Sequence, residues 1–398
     1  EKPVSDDLPL GIERGYDLIT AVDINLQNFA HKALKKQLIK SGAHAATLVV
    51  METETGYVKA MVNLKNNGDS TVSEEENYAA GYSMAPGSTF KVPVAVALLE
   101  DGYITAKDKI NTSSGYIRLY GEEIKDYADF GSLNIVRIIA FSSNVAMAKM
   151  VNKYYSNNPD RLISRLYDLG LAKPVGIDVM GEKEPIIRSA KPGKSYNRFT
   201  LVSMSYGYGL QITPLGLLTF YNALANDGYL VKPRLVKAFE KHGRIVKEFK
   251  PYTDPELICS QNTIEIIKKA LIQVVEHPRG TAHNIRSDKY QIAGKTGTVK
   301  YFNAEKRKFI KKYRASFVGF FPAERPKYSM IVKFYGTEGE NYAGSSIAAP
   351  VFRTVSDFIY KRDPELNGKA PFPKAEPIEA PYSKSGNRYD IDNVLVDL

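Results

Sequence analysis

Strand-like segments lie near both ends of this 398-residue chain, and helical segments fill its middle. That distribution is the strongest constraint on the fold. Near the start, Ala46 to Met51 and Tyr57 to Asn63 are apolar runs joined by a turn, Thr53-Glu54-Thr55-Gly56. Near the end, Gln291 to Gly294, Ser316 to Phe321 and Tyr328 to Tyr335 have the same character. Such runs bury their apolar faces by joining one sheet. The first hairpin is therefore expected to pair with the last three strands, giving an α/β unit with a helical block inserted.

Helical spacing and end signals fill in the rest. Leu26, Phe29, Ala30, Ala33, Leu34 and Leu38 recur on one face, with Asp23 as the cap and Gly42 as the stop. Ser132 is expected to cap a helix to about Ile139 or Phe141, after which Ser142-Ser143-Asn144 interrupts the apolar pattern. Thr213-Pro214 opens another helix, Thr263 to Glu276 forms a further one, and Ser345 to Lys361 closes the domain. Residues 1–19 are polar and broken by Pro and Gly, and are expected to be a linker. The predicted domain spans residues 20–362, and the Pro- and charge-rich residues 363–398 are expected to be a C-terminal tail or linker.

Composition narrows the chemistry. The single cysteine, Cys259, excludes an internal disulfide and a Cys-rich metal site. The five histidines are scattered, without zinc-ligand spacing, so neither a metal nor a Ser-His-Asp triad has a candidate. No cofactor is called for. The net charge of +10 suits solubility or an anionic polymer, but no nucleic-acid-binding motif accompanies it, and no nucleic acid is expected. No run approaches the roughly 18 apolar residues of a membrane span.

One stretch carries nucleophile chemistry. In Pro86-Gly87-Ser88-Thr89-Phe90-Lys91, Ser88 and Lys91 lie one turn apart on the same face of a helix. A hydroxyl alone is a weak nucleophile at neutral pH, and a neighbouring amine can activate it. The run Val92 to Leu99 makes this a buried helix, and Pro93 marks its first turn as non-ideal. Taken singly, Ser-x-x-Lys also reads as a capping Ser with a solvated Lys. Ser142-Ser143-Asn144 also reads as a helix cap, and Lys295-Thr296-Gly297-Thr298 as a polar strand end.

Taken together and in this order, Ser-x-x-Lys, Ser-x-Asn and Lys-Thr-Gly resemble the set found in penicillin-binding proteins and class A β-lactamases. Over roughly residues 15–362 the chain resembles the transpeptidase domain of class B penicillin-binding proteins. Thr20-Ala21-Val22-Asp23, Asn77-Tyr78-Ala79-Ala80, Tyr206-Gly207-Tyr208-Gly209 and Gly280-Thr281-Ala282 also fit that family. Leu98 to Gly102 and Tyr221 to Gly228 look more like the division enzyme than the elongation enzyme.

The resemblance implies a five-stranded antiparallel sheet flanked by helices, plus an all-helical subdomain. It implies a D,D-transpeptidase outside the cytoplasmic membrane that cross-links peptidoglycan stem peptides and is acylated by β-lactams. It also implies an N-terminal membrane helix and a non-catalytic domain not contained in these residues, and work beside a glycan polymerase and division proteins. Ser88 is the expected nucleophile and Lys91 its base, with Lys295 and burial lowering the Lys91 pKa. Ser142 would relay a proton. Asn144 would bind a substrate amide and orient Lys91. Backbone N–H groups of Ser88 and Thr298 would form the oxyanion hole. Gly297 would leave space for substrate backbone, and Lys295, Thr296 and Thr298 would take a terminal carboxylate.

Rival readings stay open at this stage. A serine β-lactamase shares the constellation, but no Glu-x-x-Leu-Asn lies between Asn144 and Lys295. A β-lactam-sensing receptor shares the covalent step, a carboxypeptidase differs only in its acceptor, and a divisome scaffold would carry an idle site. Residues 300–314, with seven Lys or Arg among fifteen, read as a solvated hairpin loop or as a partner-facing one.

Overall fold

The computed structural model describes residues 15–188, 197–303, 308–339 and 341–367. The chain opens with strand β1 (Asp17–Thr20), helix α1 (Ile24–Ser41), and strands β2 (Ala45–Glu52), β3 (Val58–Asn66) and β4 (Val72–Ser73). Helix α2 (Lys91–Glu100) carries the Ser-x-x-Lys lysine, and α3 (Ile135–Phe141) and α4 (Asn144–Tyr155) flank the Ser-x-Asn segment. Helix α5 (Pro214–Ala225), strands β5 (Val236–Lys241) and β6 (Arg244–Glu248), and helix α6 (Gln261–Glu276) follow. Strands β7 (Ala293–Asn303), β8 (Lys308–Phe321) and β9 (Tyr328–Thr337) and helix α7 (Gly344–Arg362) complete the domain.

The main sheet has the order β7-β8-β9-β2-β3-β4 and is antiparallel throughout. Five long strands match the expectation, and the two-residue β4 extends the sheet at one edge. Burial follows position. In β2, at the centre, seven of eight residues are buried, as both faces are covered. Strand β3 alternates buried and half-buried residues, because only one of its faces is fully packed. Helices α1 and α7 pack on one face and α5 on the other.

The α1 stripe Leu26, Ala30, Leu34 and Leu38 is buried. Each large side chain in it contributes about 1.5–3 kcal/mol. Asp23 accepts the N–H groups of Asn25 and Leu26, and Gly42 ends the helix in the left-handed conformation (φ 62°). Helix α2 is buried all round from Lys91 to Leu98, so it runs through the core rather than over its surface.

Three expectations change. Asp17–Ile19, at the end of the expected linker, form a strand with Thr20 that pairs antiparallel to β5, so a small sheet arises with the 236–248 hairpin. Asn134, not Ser132, caps α3, because Ser132–Leu133 pairs with Ile110–Asn111. The inserted block is not purely helical, since it also holds that pair and the hairpin Tyr116–Leu119/Glu122–Lys125. Of the basic stretch, residues 300–303 and 308–314 continue β7 and β8 as a ladder, and the rest lies outside the described residues. Residues 1–14 and the tail from 368 also lie outside them. Among the described residues, no helix is long and apolar enough to cross a membrane.

Candidate active site

The three motifs converge where the start of α2, the α3–α4 junction and strand β7 meet. Gly87–Phe90 forms a 3-10 turn that leads into α2, so the first turn is not α-helical, as Pro93 suggests. The turn is held from below. Tyr221 on α5 donates its hydroxyl to the Thr89 carbonyl at 2.8 Å, and Thr89 Oγ1 donates to the Pro86 carbonyl at 2.8 Å. Gly87 N–H donates to the Gly207 carbonyl at 3.1 Å. Gly207 (φ +86°) lies so close to the Gly87 backbone that a side chain there would collide with it. Ser88 itself stays partly exposed.

Lys91 is fully buried, and its amine reaches Ser88 Oγ at 3.0 Å, Ser142 Oγ at 3.0 Å and the Ser142 carbonyl at 2.6 Å. Ser142 is left-handed (φ 61°, ψ 40°) at the end of α3. That conformation costs a non-glycine residue about 1–3 kcal/mol and turns the carbonyl onto Lys91. Lys295, also fully buried, donates to the same Ser142 Oγ at 2.9 Å. Ser142 therefore bridges two amines, and one of those amines touches Ser88.

Burial drives the electrostatics. It pushes the Lys91 amine down to about 7, against the pull of the Asp126 carboxylate. Lys295 is pushed well below its ordinary range, first by burial and then by Lys91. Burial lowers Lys91, as expected, but the like charge acts on Lys295 and not on Lys91. At pH 7 about half of Lys91 is neutral and able to accept a proton.

Asp126 is a residue that sequence reasoning missed. Its buried carboxylate accepts from Ser143 Oγ at 2.6 Å, Asn144 N–H at 2.5 Å and Val145 N–H at 3.1 Å. Those are the first donors of α4, where an anion is favoured. Burial pushes the Asp126 carboxyl up, opposed by these bonds and by Lys91. Asp126 lies in the Tyr- and Gly-rich stretch before α3, where no spacing marks it. Only the fold brings it under the Ser-x-Asn turn.

Asn144 donates its amide to the Lys125 carbonyl at 3.0 Å. Orientation of Lys91 falls to Ser142 rather than to Asn144, contrary to expectation. Thr296 Oγ1 donates to Thr281 Oγ1 at 2.9 Å, and Thr298 Oγ1 accepts the Gly344 N–H at 3.1 Å. Gly297 also differs from expectation. A β-carbon there would press on Ser316 Oγ, Thr89 Cγ2 and the Pro86 carbonyl. The missing side chain makes room for the nucleophile turn, not for a ligand. Strand β7 is the edge of the sheet, so alternate N–H and C=O groups along it stay free of the ladder.

Residues 46–357 match the family described as the penicillin binding protein transpeptidase domain. The peptidoglycan D,D-transpeptidase FtsI of Buchnera aphidicola subsp. Schizaphis graminum is 29% identical over 350 residues, covering 87% of this chain and 58% of that protein. FtsI of Escherichia coli K12 is 26% identical, covering 86% of this chain and 56% of that protein. The chain thus spans little more than half the length of these relatives. Among solved structures, the transpeptidase domain of Burkholderia pseudomallei penicillin-binding protein 3 superposes with a TM-score of 0.73 at 26% identity, covering 88% of this chain and 98% of that one. Apo penicillin-binding protein 3 of Mycobacterium tuberculosis gives 0.77 at 25% identity, covering 88% and 80%. With the motifs assembled and the match running through most of the domain, the chain belongs to the penicillin-binding protein transpeptidase family.

Proposed function

We propose that this domain is the catalytic part of a division-type peptidoglycan D,D-transpeptidase. The observation that carries the reading is the buried Lys91 amine, held at 3.0 Å from both Ser88 Oγ and Ser142 Oγ. Neutral Lys91 takes the Ser88 proton as Ser88 Oγ attacks the carbonyl of the penultimate D-Ala. The N–H groups of Ser88 and Thr298 receive the developing oxyanion. Protonated Lys91 passes its proton through Ser142 to the departing D-Ala amine, which leaves an ester on Ser88. An acceptor amine attacks that ester, its proton returns by the same route, and the cross-link forms. The substrate lies along the β7 edge as an added strand, with Asn144 on its amide, and its terminal carboxylate brings a counter-charge to Lys295, Thr296 and Thr298. Residues 20–362 act as one unit on the outer face of the cytoplasmic membrane. A glycan polymerase and division proteins are its partners there.

Penicillins present the same acyl geometry in a ring that does not leave. Intact-mass spectrometry after brief and long incubation with benzylpenicillin, beside Ser88→Ala, tests the assignment. The reading requires one adduct on Ser88 that persists for hours and is absent from Ser88→Ala. Rapid loss with hydrolysed drug would assign a β-lactamase instead. Release of D-Ala from a stem-peptide analogue with joining to an added amine separates the transpeptidase from a receptor or an idle site.

A further inference from the structure

Two cations share the sheet face that carries the nucleophile turn, and among the described residues no acid pairs with either. Lys333 on β9 pairs with Ser316 on β8, which pairs with Gly297 on β7, so the three share one face. Arg314, two residues before Ser316, shares it as well. Lys333 is only 4% exposed, and its ammonium makes no hydrogen bond or ion pair among the described residues. Its neighbour is the Tyr335 ring, at 5.5 Å from the centroid. Arg314 Nε is buried without a partner, and the guanidinium lies 4.0 Å from the Tyr301 ring centroid. Burial, then Arg314, push the Lys333 amine down to about 7.

Hydroxyl groups complete the surroundings. Tyr208 and Tyr335 both lie within electrostatic reach of Arg314. The Tyr208 oxygen accepts the Lys300 N–H at 3.3 Å, which leaves its own proton to donate. A buried cation without a counter-charge costs several kcal/mol. Here the buried Lys333 ammonium lies beside a half-buried guanidinium whose Nε is itself buried and unpartnered.

We infer that Lys333 and Arg314 hold a small monovalent anion, of halide or formate size, in a site behind the nucleophile turn. The guanidinium, the ammonium and the phenol are the donors such an ion takes. Size is limited by the burial of Lys333 and the tyrosine walls. Tyr208 follows Gly207, which is hydrogen-bonded to Gly87 beside Ser88, so an occupied site braces the turn through that segment. The inference does not rest on the transpeptidase reading, because neither cation hydrogen-bonds to Ser88, Lys91 or Ser142.

Bromide soaked into crystals should give an anomalous peak in contact with Lys333 Nζ and the Arg314 guanidinium, and Lys333→Met should abolish it. In solution at constant ionic strength, replacing bulky gluconate by chloride or formate should raise the melting temperature by about 2 °C. Lys333→Met and Arg314→Gln should lose that response. In gluconate, Lys333→Met should melt above the wild type, because an apolar side chain replaces an unanswered charge. Response to formate alone would assign a planar carboxylate-type ion, and response to both a general monoanion site. If Lys333→Met does not fold, Lys333→Gln takes its place. No bromide at these two residues, or an equal chloride response in wild type and variants, would overturn the inference.

Discussion

Asp126→Asn separates the charge of this residue from its shape. The amide oxygen keeps the Asn144 and Val145 N–H bonds, now at 2.5 and 3.1 Å, but loses the charge that strengthens them. Charge-assisted bonds exceed neutral ones by about 1 kcal/mol each. The third donor, Ser143 Oγ at 2.6 Å, meets an amine if the oxygen stays with the helix, which costs about 1 kcal/mol more. Relief of burying an ionised carboxylate, whose pKa burial pushes up, offsets part of this total. A net loss of about 1–2 kcal/mol is expected for Asp126→Asn. Asp126→Ala orphans all three donors and should lose at least about 3 kcal/mol. Urea unfolding checks both values. The kinetic signature is independent of stability. Asp126 favours protonated Lys91, so its neutralisation should move the pH midpoint of Ser88 acylation downward. If loosening of the Ser142 turn reaches the transition state in full, 1.4 kcal/mol is a tenfold loss of rate. A midpoint that stays fixed or rises in folded Asp126→Asn would refute the electrostatic role. Equal stability of Asn and Ala variants would refute the hydrogen-bond accounting.

Two further substitutions probe parts of the fold around the site. Gly297→Ala forces a methyl group onto Ser316, Thr89 and the Pro86 carbonyl, and is expected to cost about 1–3 kcal/mol and to slow acylation by displacing the turn; comparison of unfolding midpoint with acylation rate shows whether both fall. Asp101 has a buried side chain that joins Arg161 at 3.2 Å, Arg165 at 2.6 Å and Tyr155 at 2.7 Å. Burial opposes its ionisation, but the bonds to Arg165, Tyr155 and Arg161 outweigh it and hold the carboxyl below its usual range. Its contribution is therefore present above the unfolded carboxyl pKa of about 4 and is lost as pH falls through the lower folded value. Asp101→Ala should destabilise by about 3 kcal/mol at neutral pH, less in acid, and leave the acylation pH midpoint of the folded protein unchanged.

How much the sequence disclosed depended on the range of each interaction. Local signals were legible: Asp23 and Gly42 bound α1, Thr213 and Pro214 start α5, and Pro93 marks the irregular turn at Ser88. The pairing of the first hairpin with the last strands was also legible, because β2 has no polar face and needs neighbours on both sides. The placement of Asp17–Thr20 beside β5 was not, since the segment is short and mostly exposed, with its two apolar residues, Leu18 and Ile19, adjacent rather than alternating. Within the site, the motif residues were legible as a set, but their roles shifted with contacts between distant segments. Ser142 orients Lys91 because α3 ends in a left-handed residue, and Asn144 turns to Lys125 because the Glu122–Lys125 strand lies beside α4. No motif marks Lys333 or Arg314 in the sequence, and only the sheet register brings them to one face.

The most direct test of the central claim is the pH dependence of the second-order rate of Ser88 acylation by benzylpenicillin, from about pH 5 to about pH 9. Burial that lowers Lys91 to about 7 predicts a rate that rises with pH as one group deprotonates, levels off above a midpoint near 7, and collapses at every pH in Lys91→Met. A rate that is flat or falls across this range, or that survives in Lys91→Met, would contradict Lys91 as the base.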